Sequence, residues 1–147
     1  TYDLPMAEID RFMKKLRLGY PNEDEETALL QRVAGDHPID SLDPVATLDD
    51  LRGARATVAN VTLSEPVRRY VSRLAAHTRE NATLGVSPRG AIALVRAAQA
   101  RAVLDGRDYV IPDDVQTEAP SVWSHRIDAD RSGSAVVEAA LEAVPVE

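Results

Sequence analysis

The sequence predicts a mainly α protein: a helical bundle preceded by a short helix and a strand that belong to the end of an α/β segment. Three observations carry this reading. Aromatic residues are only 4% of the 147, so a core must be assembled from Ala, Val, Leu and Ile, side chains that suit closely packed helices. Apolar residues recur at i, i+3, i+4 and i+7 in several segments, the period of a one-sided helix. Prolines Pro66, Pro88 and Pro112 stand where those segments begin, and the first helical turn tolerates proline because its N–H has no partner there anyway.

Taken in order, residues 6–14 read as a short helix with Ile9, Phe12 and Met13 on one face. Leu16-Arg17-Leu18 alternates like a strand before Gly19-Tyr20-Pro21 stops it, and so short a strand needs a sheet partner. Asn22 precedes Glu23-Asp24-Glu25-Glu26, an N-cap with acids in the first turn, and that helix is expected to reach Ala34 and stop at Gly35. A loop over 36–44 follows. Thr47 caps a helix starting Leu48-Asp49-Asp50-Leu51, which passes into a β-branched stretch over 58–63 whose state the pattern leaves open. Ser64 and Pro66 start a stronger helix with Val67, Tyr70, Val71, Leu74 and Ala75 on its apolar face. Ser87 and Pro88 start the next, with Ala91, Leu94, Val95, Ala98 and Ala102 as its stripe, and Asp105-Gly106 ends it. Tyr109-Val110-Ile111 is extended. Pro112 opens a helix expected to pass Trp123 and reach Arg126, and a polar linker over 128–133 leads to a last helix over 135–144. The expected domains are 1–20, 21–127 and 128–147.

Composition excludes several classes. The net charge of −7 disfavours a general phosphate-backbone binder, so no nucleic acid is expected as a partner. No run approaches the roughly 18 apolar residues of a membrane helix, and no membrane insertion is expected. Cysteine is absent, which removes disulfides, thiolate metal sites and a cysteine nucleophile together, and agrees with a reducing, cytoplasmic setting. The chain starts at Thr1 without a signal segment and reads as a piece of a longer one. The only lysines, Lys14 and Lys15, follow no glycine, so there is no phosphate-cradling loop of the G-x-x-x-x-G-K-[ST] kind. No metal site is expected, since His37, His77 and His125 lie far apart. The acids Glu23, Asp24, Glu25, Glu26, Asp36, Asp40, Asp43, Asp49 and Asp50 face one base, Arg32, between 22 and 50; an acidic helix start plus a solvated loop accounts for them better than paired catalytic carboxylates.

The informative residue is Arg89, at the second position of the helix capped by Ser87. A cation there faces the positive end of the helix dipole, unfavourable by roughly 0.3–1 kcal/mol. Two readings stay open on this ground: an exposed arginine paired with a nearby carboxylate, or one that meets an anion. The overall charge also conceals a basic segment. Between 64 and 107, Arg68, Arg69, Arg73, Arg79, Arg89, Arg96, Arg101 and Arg107 face only Glu65, Glu80 and Asp105.

Several blocks in a fixed order add to this. Leu84-Gly85-Val86-Ser87-Pro88-Arg89-Gly90-Ala91, then Gly106-Arg107-Asp108-Tyr109-Val110-Ile111-Pro112-Asp113-Asp114-Val115, together with Asp10-Arg11-Phe12, Arg17-Leu18-Gly19-Tyr20-Pro21 and Trp123-Ser124-His125-Arg126, closely resemble the C-terminal part of the MoxR family of AAA+ ATPases, over residues 1 to about 126. The resemblance implies a helical lid domain over 21–127 preceded by the end of the ATPase core. It implies that Arg89, beside Ser87 and Pro88 in the cofactor-binding block, is the sensor 2 arginine reaching nucleotide in its own subunit, and that Arg11 is the arginine finger acting on nucleotide in the neighbouring one. It implies ATP and Mg2+ in the complete protein, a homo-oligomeric ring, a hexamer, that remodels or matures partner proteins, and von Willebrand A domain proteins among those partners. Met6 stands where the family usually has glutamate, and Gly90 where it usually has a better helix former. The segments that hold ATP are not in this sequence, so the chain alone is expected neither to hold cofactor nor to hydrolyse it. The alternative is a non-catalytic helical interaction module that docks a basic partner on its acidic 22–50 face.

Overall fold

The computed structural model describes residues 4–33, 39 and 42–146. The chain divides into two compact units, residues 16–54 on one hand and residues 1–15 with 55–147 on the other. Among the described residues the helices are α1 Met6–Ile9, α2 Glu23–Val33, α3 Leu48–Ala59, α4 Glu65–Glu80, α5 Pro88–Leu104, α6 Pro112–Trp123 and α7 Gly133–Ala143.

The larger unit holds a bundle in which α5 packs most extensively on α6, and α7 packs on α6 and α4. α4 buries its predicted stripe in full, with Thr78 added. α5 buries Leu94, Ala98 and Ala102 as expected, but also Gly90 and Ala97, while Ala91 and Val95 sit half-buried at the edge of the core. The reason is that α5 has neighbours on two sides, α4 and α6, so its contact arc is wider than one stripe. Leu74 and Leu94 are fully buried, each stabilising the bundle by about 1.5–3 kcal/mol. Trp123 is fully buried too, and its indole Nε1 donates to the Gly90 carbonyl at 2.9 Å, which satisfies the one polar atom that its burial would otherwise strand.

The structure changed some of the sequence expectations and settled one that was open. The helix of residues 6–14 stops after Ile9, because the carbonyls of Asp10, Phe12 and Met13 accept from the Arg126 guanidinium instead of from helical amides. Leu16-Arg17-Leu18 joins no ladder with any described residue; the sheet partner that so short a strand needs is not among them. The ambiguous stretch resolves as helix to Ala59 followed by a single parallel bridge, in which Thr62 N donates to Asp108 O and Val110 N to Thr62 O. α6 ends at Trp123 rather than Arg126, since Arg126 turns back and donates to the Val122 carbonyl. The last helix begins at Gly133 rather than 135, capped by Ser132, and buries Val136, Val137 and Ala140 in the bundle core. The expected end of the α2 helix at Gly35, the loop residues 36–38, 40 and 41, and His37 lie outside the described residues.

Candidate functional site

The connection from α4 to α5 is clamped so that Ser87 arrives in one place. Thr78, fully buried, donates its hydroxyl to Ala75 O and accepts from Val86 N at 3.1 Å, and Arg79 Nε donates to Val86 O at 2.8 Å. Gly85 is required for this return, because a Cβ there would lie 2.5 Å from Arg79 Cα. Ser87 then caps α5 as expected, accepting from Gly90 N at 3.1 Å, with Pro88 at the first helical position. The same hydroxyl donates to the Asp10 carboxylate at 3.0 Å. Ser87 is therefore committed within the protein, and Pro88 offers no N–H; of the predicted cofactor-binding trio, Arg89 alone presents an exposed donor group.

The second half of the site is the segment after α1. Arg126, with a side chain only 2% exposed, pairs with Asp10 through Nε at 3.0 Å. Its terminal nitrogens donate to the carbonyls of Phe12, Met13, Asp10 and Val122. Burial lowers the Arg126 pKa, and the Asp10 charge and hydrogen bond act against that. Burying an arginine is tolerable only with such a full set of acceptors. Lys14 pairs with Glu118, and Lys15 N donates to Ser121 O. Gly90 has a reason here: a Cβ at this position would lie 2.9 Å from Val86 Cγ1 and 3.1 Å from Arg126 Cδ.

These ties bring Arg11 and Arg89 onto one cleft of about 430 Å3. Arg96 and Arg126 line it as well, with Asp10 as its carboxylate and Met13, Ile92 and Ala93 as its apolar wall. Arg11 makes a long 3.5 Å pair with exposed Glu8, a contact of little strength in water. The Asp10 charge is already taken by Arg126. Three exposed guanidinium groups thus converge with little internal compensation, an arrangement that raises the local positive potential and suits a multiply charged anion such as phosphate. Among the described residues no cluster of acids and histidines could hold a metal ion, and no helix is long and apolar enough to cross a membrane.

Arg107 is different. It grips Asp114, 3% exposed, through two bonds of 2.6 and 2.8 Å while Asp114 accepts from Ile111 N at 2.9 Å. Burial pushes the Asp114 carboxyl up, but the hydrogen bonds from Arg107 and the Ile111 amide outweigh it and hold it below the usual carboxylate range. This pair fastens the start of α6 and is structural.

Sequence reasoning placed Arg11 and Arg89 on two different nucleotides; the structure places them on one cleft. It missed Arg96, Arg126 and Asp10 as site residues. Arg96 carries a readable signal, since it lies seven residues after Arg89 on the same helix face. Asp10 and Arg126 stand in two of the resembling blocks, yet nothing local pairs them.

Known proteins resemble this chain in sequence and fold. The AAA lid domain family matches residues 74–144. Protein YeaC of Bacillus subtilis (strain 168) is 46% identical over 129 residues, covering 86% of this chain and 40% of its own. Chaperone MoxR1 of Mycobacterium tuberculosis is 33% identical over 138 residues, covering 86% and 36%. The crystal structure of a candidate ATPase from Cytophaga hutchinsonii superposes with a TM-score of 0.90 at 29% identity, covering 99% of this chain and 50% of that one. The chain spans well under half the length of these two curated relatives. With the helical bundle, the ordered blocks and these similarities together, the chain carries an AAA lid domain over residues 74–144 and is similar to the C-terminal part of MoxR-type AAA+ ATPases.

Proposed function

We propose that the arginine cleft engages the phosphate groups of ATP in a complete MoxR-like ATPase, with Arg11 and Arg89 stabilising charge on the transferred phosphoryl group. The observation that supports this is the convergence of both arginines, with Arg96, on one cleft where Asp10, the one carboxylate among the described lining residues, is already paired. Both then serve the same nucleotide; if Arg11 acts across a subunit boundary, Arg89 does so too. The guanidinium donors suit phosphate oxygens, which gather negative charge in phosphoryl transfer. In this reading Mg2+, which neutralises phosphate charge and orients the transfer, is held by residues elsewhere in the complete protein. In this reading the protein is a ring, a hexamer, that works in the cytoplasm as a chaperone-like remodeller, with von Willebrand A domain proteins among its partners.

The test is made on the complete ATPase. Arg11→Ala or Arg89→Ala should each lower kcat by about 100-fold or more, the scale lost when a donor to transition-state charge is removed. Rings mixed from Arg89→Ala subunits and subunits with a disabled nucleotide site then read the direction of action. If both arginines reach across a boundary, mixing restores turnover in the same pattern as it does for Arg11→Ala. Unchanged turnover in both single variants would overturn the assignment.

A further inference from the structure

The cleft exists because a single carboxylate holds its two sides together. We propose that Asp10 is a positioning residue that sets Arg11 and Arg89 at a fixed separation, an inference resting on the phosphate reading above. Asp10 is the residue immediately before Arg11. One of its oxygens accepts from Ser87 Oγ at 3.0 Å, and Ser87 is the cap of the helix on which Arg89 occupies the second position. The other accepts from Arg126 Nε at 3.0 Å.

Both carboxylate oxygens are therefore committed to donors of the protein itself. Asp10 lines the cleft, and its charge is engaged by Arg126. What it can do is transmit position. Arg126 is the anchor: it holds the backbone of Asp10, Phe12 and Met13 through their carbonyls and the end of α6 through Val122. Asp10 connects that anchor to the α5 cap. Removing the carboxylate leaves a buried guanidinium without its counter-charge and removes the side-chain tie between the residue before Arg11 and the cap of the Arg89 helix. A carboxylate is needed because an amide in its place cannot balance the charge of Arg126.

Small misplacements of groups that stabilise charge are costly, on the order of 100-fold for about 1 Å. In the complete ATPase, Asp10→Asn should lower kcat by about tenfold or more while the KM for ATP changes far less, since positioning acts on the transition state. Ser87→Ala should give a smaller loss of the same kind, and Ser87→Thr, which keeps a hydroxyl, should recover most of it. A role confined to stability would not follow this pattern. The decisive measurement is a cycle: if Asp10 acts through the arginines, Asp10→Asn added to the Arg11→Ala/Arg89→Ala protein should lower kcat no further. An additional tenfold loss in that background would overturn the proposal, as would wild-type kcat for Asp10→Asn where Arg11→Ala is impaired. Wild-type kcat for both arginine variants would instead overturn the phosphate reading beneath it. Should Asp10→Asn fail to fold, the Ser87→Ala and Ser87→Thr pair decides through the same cycle.

Discussion

Residues 16–54 and the bundle that follows contain helices with equally clear starting signals, yet among the described residues only the bundle has buried ones. In α2, Asn22 Oδ1 accepts from Glu25 N at 2.9 Å and Asn22 N donates to Glu25 at 3.0 Å; in α3, Thr47 and Asp50 make the same reciprocal pair at 2.8 and 3.1 Å. These capping boxes are at least as complete as the cap of α4, where Ser64 makes no side-chain bond. No described residue between 16 and 54 is buried, however, and Leu18, Tyr20 and Val45 are fully exposed. The contrast separates two causes that sequence patterns usually deliver together. Capping decides where a helix begins, and burial of a stripe decides whether it carries stability, since helices of 11 or 12 residues are marginal alone.

The largest test of this contrast removes one apolar side chain from each region. In urea unfolding of the chain, Trp123→Ala should cost about 3–5 kcal/mol through the cavity it leaves, whereas Leu30→Ala in α2 should stay within about 0.5 kcal/mol. Equal effects would mean that residues 16–54 have a core of their own. A smaller test removes a cap: Thr47→Ala should weaken α3 by about 1 kcal/mol, seen as faster amide exchange at its start, while the urea midpoint of the bundle stays in place. A shift of that midpoint would show that α3 stability is shared with the bundle.

The smallest effect is in pH. Burial depresses the His125 pKa, with Arg126 and Lys15 acting in the same direction, and the Phe12 carbonyl and Asp10 only partly oppose them. The folded bundle thus takes up a proton less readily than the unfolded chain. Stability should fall as pH drops below the ordinary histidine value of about 6.5, and His125→Gln should flatten that slope. Asp50 is held low by its hydrogen bonds to Thr47, so the start of α3 should respond only at lower pH, as the carboxylate protonates below its usual range. Following each region by amide signals across a pH series would show the bundle responding first; a simultaneous response would erase the distinction.

Much of the fold was legible because helix signals are short-range. Ser87 and Pro88 at the start of α5, the apolar face of α4, and Gly106 at a φ of +75° after α5 each depend on residues within a few positions. The site was half legible. Arg89 drew attention by sitting as a cation at a helix start, and Arg11 entered through the resemblance of its block. The strand expected at 16–18 finds no partner edge among the described residues, and a partner edge is a property no alternation of side chains contains.

By itself the sequence determined where α4, α5 and α6 start, the face that α4 turns inward, and that a basic stretch lies within an acidic chain. Only the tertiary structure decided that Arg11 and Arg89 share a cleft. The bond between Arg126 and Asp10 closes over 116 residues, and it forms because a buried guanidinium must find its acceptors wherever the packed chain brings them. That requirement unwinds the segment after α1, engages Ser87 through Asp10, and places the two arginines on one cleft.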